Sequence, residues 1–366
     1  MKQPITLIKG DLMIADTRQK IAIAMVALLA VMMVSAFIVL SPSAAEGFEG
    51  PEDAMGNTLF FDKAPDKIIS TAPSISELLY ALDSGDNVVA ISSNCDFPAD
   101  LVTRASSGDL KRVGSYNSPN VELITSAGAD VIFVSYTAGG VGAYNLLRTI
   151  GEPVVMLFQE ETVADVYKNI ELMSEILKKE SVGDNLVNGM KADFTQIVLK
   201  SAVQDFSGWP PSNPKVMMNL GWGWGTPWLF GADTFGSDII SLVNATNHAS
   251  YSSGFFTANM EYVADVGNYT IDVIIATSLG SWSNYTNAMA ALEADPIWKE
   301  TNAVKNGEVY FLIDRAADIT QRAGPGLVDL GKIISMIIHP DQFEDFNPAD
   351  HKVIGDDYAD MFVGHW

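Results

Sequence analysis

A chain of 366 residues with 22 Lys and Arg against 45 Asp and Glu carries a formal charge of −23. That balance excludes a nucleic-acid binder or a ligand of anionic membrane surfaces, because phosphate contacts require clustered cations. A single cysteine, Cys95, excludes an internal disulfide and a lipid-bearing cysteine behind the leader, so packing of a 48% hydrophobic chain must carry stability.

The first element is a run of uncharged, almost wholly apolar residues, 21–40 (IAIAMVALLAVMMVSAFIVL), preceded by Arg18 and Lys20. It is long enough to span a bilayer as a helix and longer than the roughly 7–15 residues of a signal-peptide core. Ser43, Ala44 and Ala45 behind it suit a signal peptidase, so residues 1–45 read as a signal peptide or a transmembrane anchor. Either outcome places the rest outside the cytoplasm, at the cell surface or in a periplasm, secreted or membrane-anchored. There the sequons at Asn244, Asn268 and Asn284 would be open to glycosylation.

From residue 65 short apolar runs alternate with helical stretches. Residues 67–71 read as a strand, 74–82 as a helix opened by a capping box between Ser74 and Glu77, and 87–92 as a second strand. Helix 121–127, strand 130–135, helix 144–150 and strand 153–158 follow. Residues 60–160 therefore form an N-terminal α/β lobe with a mostly parallel sheet. Helical periodicity then runs unbroken over residues 162–203, and 161–205 is expected to be one long bridging helix. After a linker at 208–214 (GWPPSNP) the alternation resumes: strand 215–220, helix 238–243, a helix-to-strand passage at 270–276, helix 287–292, strand 308–312 and helix 327–338. Residues 213–345 form the C-terminal α/β lobe, and 346–366 an acidic, irregular tail with a short helix near 357–362.

In order and spacing, residues 64–82 (APDKIISTAPSISELLYAL), 94–98 (NCDFP), 113–122 (VGSYNSPNVE) and 129–133 (ADVIF) resemble the N-lobe of periplasmic binding proteins for cobalamin and ferric siderophores. Residues 321–330 (QRAGPGLVDL) resemble the closing loop and helix of the same family, so the resemblance covers about residues 60–345. It implies two Rossmann-like lobes bridged by a single long α-helix. It also implies an iron-siderophore, haem or cobalamin-type ligand held between the lobes, delivery to an ABC importer permease with its ATPase, and no catalysis. In that family one exposed glutamate on each lobe docks on arginines of the permease. Glu122 in PNVELI and Glu261 in ANMEYV match those positions. Without the resemblance, both read as solvated first-turn acids favoured by the helix dipole.

Ligands of open α/β sheets gather at the carboxyl ends of strands. The loops expected there carry Asn94, Phe97, Tyr116, Tyr136, Trp222, Trp224, Trp228, Trp282, Arg315 and Arg322. Aromatic walls with few polar groups suit a large, flat ligand such as a corrinoid, haem or iron chelate. The indoles of residues 221–228 (GWGWGTPW) either line the cleft or plug the second lobe's core. The two arginines either clamp ligand carboxylates or phosphates, or pair with surface acids. Gly326 stands where the family often carries a further arginine, which counts against an arginine-rich site for anionic siderophores.

No resident cofactor, catalytic residue or metal site is expected. His248, His339, His351 and His365 are scattered, and Cys95 reads as a small buried residue. The strongest enzyme reading is a dinucleotide loop at Gly139, Gly140 and Gly142, with Glu160 and Glu161 downstream. It fails at Asn145, where the fingerprint requires glycine. A membrane-anchored sensing or adhesion ectodomain is the remaining alternative.

Overall fold

Two sheets organise the computed structural model, which describes residues 47–202, 213–221, 223–265 and 270–365. All of the geometry below lies within one body, Glu49–Trp366. The apolar run at 21–40 lies outside the described residues, as do the linker at 208–212 and the sequon at Asn268. Among the described residues no helix is long and apolar enough to cross a membrane.

The first sheet comprises β1 (Ile68–Ser70), β2 (Val88–Ile91), β3 (Lys111–Arg112), β4 (Val131–Val134) and β5 (Val154–Met156), in the order β3-β2-β1-β4-β5. Every neighbouring pair is parallel. Strands β1, β4 and β5 are buried along their whole length, which explains runs such as VIFV that do not alternate: both faces are covered by helices. The covering helices are α1 (Pro73–Ala81), α2 (Ala99–Ser107), α3 (Val121–Ala127) and α4 (Ala138–Thr149).

Two local expectations change here. Helix α1 begins at Pro73, one residue early, so Ser74 lies inside the helix and Ala72 takes the cap position without a side-chain bond. The capping box does not form, and Glu77 is free to act elsewhere. Helix α4 begins six residues before 144, taking in all three glycines of the supposed nucleotide loop. A Cβ on Gly139 would lie 1.6 Å from the Asn117 carbonyl oxygen, so that glycine is demanded by close backbone packing.

The long helical stretch is two helices, α5 (Val163–Ile176) and α6 (Glu180–Ser201), which corrects the single bridging helix. A capping box between Thr162 and Asp165 starts α5. Lys178 ends it in the left-handed region at φ 57°. Around it, Lys178 N donates to Glu175 O at 3.2 Å and Lys179 N to Ser174 O at 2.7 Å, the paired bonds of a Schellman motif without its usual glycine. The chain then reverses. A Cβ on Gly183 would meet Ser174 Oγ at 2.4 Å, and Lys191 Nζ lies 5.0 Å from the Tyr167 ring centre, so the two helices pack side by side. Helical periodicity alone does not register this turn because Lys in the left-handed conformation leaves no sequence mark. The 22 residues of α6, about 33 Å long, make the passage to the second half.

The second sheet runs β9-β7-β6-β10-β11-β12, with β8 beside β6. Its strands are β6 (Lys215–Asn219), β7 (Trp228–Phe230), β8 (Thr246–Asn247), β9 (Phe255–Thr257), β10 (Val273–Ala276), β11 (Val309–Leu312) and β12 (Val353–Ile354). Strands β7 and β9 are antiparallel additions, and β12 pairs parallel with β11 through Phe311↔Val353 and Leu312↔Ile354. The tail expected to be irregular thus supplies an edge strand. Helices α7 (Phe235–Leu242), α8 (Met260–Asp265), α9 (Tyr285–Ala294), α10 (Asn302–Asn306), α11 (Asp314–Asp318) and α12 (Leu327–Ile338) complete this half. The end of α6 docks on α12, where Ser201 and Ser335 share a buried hydrogen bond of 2.9 Å.

Candidate functional site

The order β3-β2-β1-β4-β5 reverses direction between β1 and β4, and in such sheets the crevice beyond the carboxyl ends at that point receives ligands. Tyr136 follows β4 there and is 38% exposed, close to the values for Phe97 and Tyr116. Exposed aromatic rings lose free energy to water, so three in strand-end loops form a usable apolar surface.

The backbone of Tyr116 is held on both sides. Its N–H donates to Asn94 Oδ1 at 3.2 Å, and Thr137 Oγ1 donates to its carbonyl at 3.3 Å. Asn94 therefore positions the 114–119 hairpin, a structural task the sequence reading did not assign to it. Arg112, which that reading missed, donates through Nη1 to the carbonyls of Ser92, Ser93 and Cys95, each at 3.3 Å, and staples the loop that carries Phe97. A cation at the end of a two-residue edge strand gives no sequence pattern by which to find it.

In the second half the tryptophans divide. Trp224 packs edge-on against Trp298 at 5.1 Å, tilts against Trp282 at 5.4 Å, and approaches Phe311 at 5.9 Å. Trp298 is 1% exposed and donates Nε1–H to the Trp224 carbonyl at 3.1 Å. Trp224 and Trp282 are thus the partly exposed outer layer of a core plug. Trp228 lies on β7, its ring 5.6 Å from Phe255 and away from that cluster. Trp222 lies outside the described residues. At the carboxyl end of β10, the hydroxyl of Thr277 is buried and has no hydrogen-bond partner among the described residues.

Arg315 and Arg322 meet acids of the first half. Arg315 sets its fork on Glu77, with Nη1–Oε1 and Nη2–Oε2 both at 2.7 Å, and its guanidinium lies 4.0 Å from the centre of the Phe97 ring. Arg322 reaches Glu77 Oε1 at 3.1 Å, Asp96 Oδ1 at 2.6 Å and Asp318 Oδ1 at 2.9 Å. The Glu77 side chain is only 5% exposed. Burial pushes the Asp318 carboxyl up to about 6 against the pull of Arg322. Of the ten residues expected to bind ligand, Phe97, Arg315 and Arg322 are brought together, as are Asn94 and Tyr116, and Trp224 and Trp282.

Glu122 and Glu261 are exposed in the first turns of α3 and α8. The Asn120 side chain caps α3, accepting from Leu123 N at 3.0 Å. Beneath α8, His248 is buried with neither ring nitrogen hydrogen-bonded among the described residues. Burial, then the charge of Lys215, lowers its pKa to about 4. The folded pKa is depressed, so the stability tied to neutral His248 is complete above its unfolded value of about 6.5 and falls away towards pH 4. We expect His248→Leu to flatten the decline in unfolding free energy between pH 6.5 and 4 by about 2–3 kcal/mol. Urea titrations at both pH values measure this, and an unchanged pH slope would refute it.

A family model described as periplasmic binding protein matches residues 68–316. An uncharacterized ABC transporter substrate-binding lipoprotein of Bacillus subtilis is 27% identical over 300 residues, covering 80% of this chain and 86% of that protein. A vitamin B12-binding protein of Vibrio parahaemolyticus is 24% identical over 135 residues, 37% of this chain and 46% of its own length. Among solved structures, a possible iron-binding periplasmic solute-binding protein of Staphylococcus epidermidis aligns with TM-score 0.62 at 22% identity, over 76% of this chain and 100% of that one. The vitamin B12-binding protein of Vibrio cholerae aligns with TM-score 0.59 at 21% identity, over 76% of this chain and 98% of that one.

Proposed function

Because the chain belongs to the periplasmic binding protein family, we propose that it is an extracytoplasmic substrate-binding protein of an ABC importer. It captures a flat, amphipathic metal complex of the corrinoid, haem or ferric-siderophore class and hands it to a permease driven by an ATPase. The observation that carries the ligand class is the exposed aromatic set Phe97, Tyr116 and Tyr136 at strand ends, together with the Trp224–Trp282 face. Residues 1–45 hold the protein at the membrane or direct its export, a role the lipid of a lipoprotein plays elsewhere. The chemistry is capture and release.

The full chain, purified in detergent and titrated with cyanocobalamin, haem and ferric chelates, is expected to bind one of them stoichiometrically by absorbance and native mass spectrometry. Measurable NAD affinity with no coloured ligand would refute the reading.

Glu122 and Glu261 are proposed to seat on permease arginines. Close charge pairs at protein interfaces couple by about 1.5–7 kcal/mol. Glu122→Ala combined with Glu261→Ala is therefore expected to cut uptake about 10-fold or more while ligand affinity stays within about 2-fold. Unchanged uptake would sink the docking assignment and favour a sensing or adhesion ectodomain.

A further inference from the structure

Three arginines at or beside the strand-end loops, Arg315, Arg322 and Arg112, are engaged. Arg315 spends its fork on Glu77 and one face on Phe97. Arg322 divides its donors among Glu77, Asp96 and Asp318, so two guanidiniums face three carboxylates. Arg112 is turned onto three carbonyls of the 92–95 loop. Two further acids, Glu161 and Asp314, follow the ends of β5 and β11 within a chain of formal charge −23.

We propose that Glu77 is a specificity-determining residue: with Asp96 it pre-occupies Arg315 and Arg322, so the site accepts a ligand presenting an uncharged face and excludes polyanionic metal complexes. The inference rests on the capture reading above. A bidentate arginine–carboxylate pair uses the same planar donor geometry that a ligand carboxylate or catecholate would need. An anionic ligand gains Arg315 only by stripping buried Glu77 of its bidentate partner and leaving it the single Arg322 contact at 3.1 Å, a cost that offsets the new pair. It also approaches against the field of the remaining acids. An uncharged ligand meets the aromatic rings without disturbing the pair.

The test titrates the full chain, wild type and Glu77→Gln, with cyanocobalamin, an uncharged ferric tris-hydroxamate and a trianionic ferric tris-catecholate, following tryptophan quenching. The wild type is expected to bind an uncharged probe about 100-fold more tightly than the tris-catecholate. Glu77→Gln should narrow that ratio about 10-fold by strengthening tris-catecholate binding. Asp96→Asn frees only part of Arg322 at a side chain that is 58% exposed, so it should fold readily and narrow the ratio less. Comparable wild-type affinity for charged and uncharged probes, or an unchanged ratio in whichever variants fold, would overturn the inference while leaving capture intact. Failure of the wild type to bind any of the three probes or haem would overturn the capture reading and the inference with it.

Discussion

Replacing Arg315 with methionine is expected to lower the unfolding free energy by about 3–5 kcal/mol. Glu77, 5% exposed, would keep a single contact from Arg322 at 3.1 Å in place of a bidentate fork. The Glu77 carboxylate is buried, and a buried charge stripped of its bidentate partner bears most of its desolvation cost. The effect belongs to the under-paired carboxylate, so it should reverse when that carboxylate is also removed. Glu77→Leu with Arg315→Met is expected to recover most of the loss, since apolar replacement of a buried pair is often neutral or better. Urea unfolding of the two single variants and the double variant yields the coupling directly. A loss below about 1 kcal/mol for Arg315→Met would mean the pair is screened as a surface ion pair is, and would remove the basis for its role in selectivity.

Trp298→Ala should cost about 3–5 kcal/mol, in the range for emptying a large aromatic site. Trp298 is among the largest fully buried side chains and packs in one cluster with Met217, Ile274 and Phe311. Its loss would also free the Trp224 carbonyl and remove the ring on which Trp224 rests, 5.1 Å away. Ligand affinity should therefore fall with stability. Trp298→Phe separates the contributions: it keeps much of the packing, loses the indole hydrogen bond, and should cost about 1–2 kcal/mol. Thermal unfolding together with probe titration on both variants checks this. Full ligand affinity in a destabilised Trp298→Ala would show that the Trp224–Trp282 face is not part of the site.

Much of the fold is legible in the sequence because parallel strands buried on both faces must be continuous apolar runs, and Ile68–Ser70, Val131–Val134 and Val309–Leu312 read that way without any partner being known. Helix ends are legible where a local chemical signal marks them. Asn120 opens α3 and Gly128 closes it in the left-handed region, and the expected bounds of that helix match the observed ones. They are illegible where the signal is absent, as at Lys178, or misleading, as at Ser74, where Pro73 moves the helix start. The antiparallel strands β7 and β9 escaped because Trp228-Leu-Phe and Phe255-Phe-Thr are too short to show a period.

The candidate site divides along the same line. Which residue types occupy the strand-end loops is a property of the sequence: they are rich in aromatic residues, in a chain acidic on balance, which favours a large amphipathic ligand over nucleic acid. What those residues do is set by partners far away in the chain. Arg315 and Glu77 are separated by 238 positions, and Trp298 and Trp224 by 74. A guanidinium read alone suits a ligand anion and a protein carboxylate equally well, since both offer the same pair of acceptor oxygens. Only folding decides which one it meets, because only folding brings α1 of the first half against α11 of the second. The sequence by itself determined the alternation of strands and helices, the family resemblance and the character of the strand-end loops. The tertiary structure alone decided that Arg315 and Arg322 are already paired, since a long-range ion pair leaves no periodic or local trace in the chain.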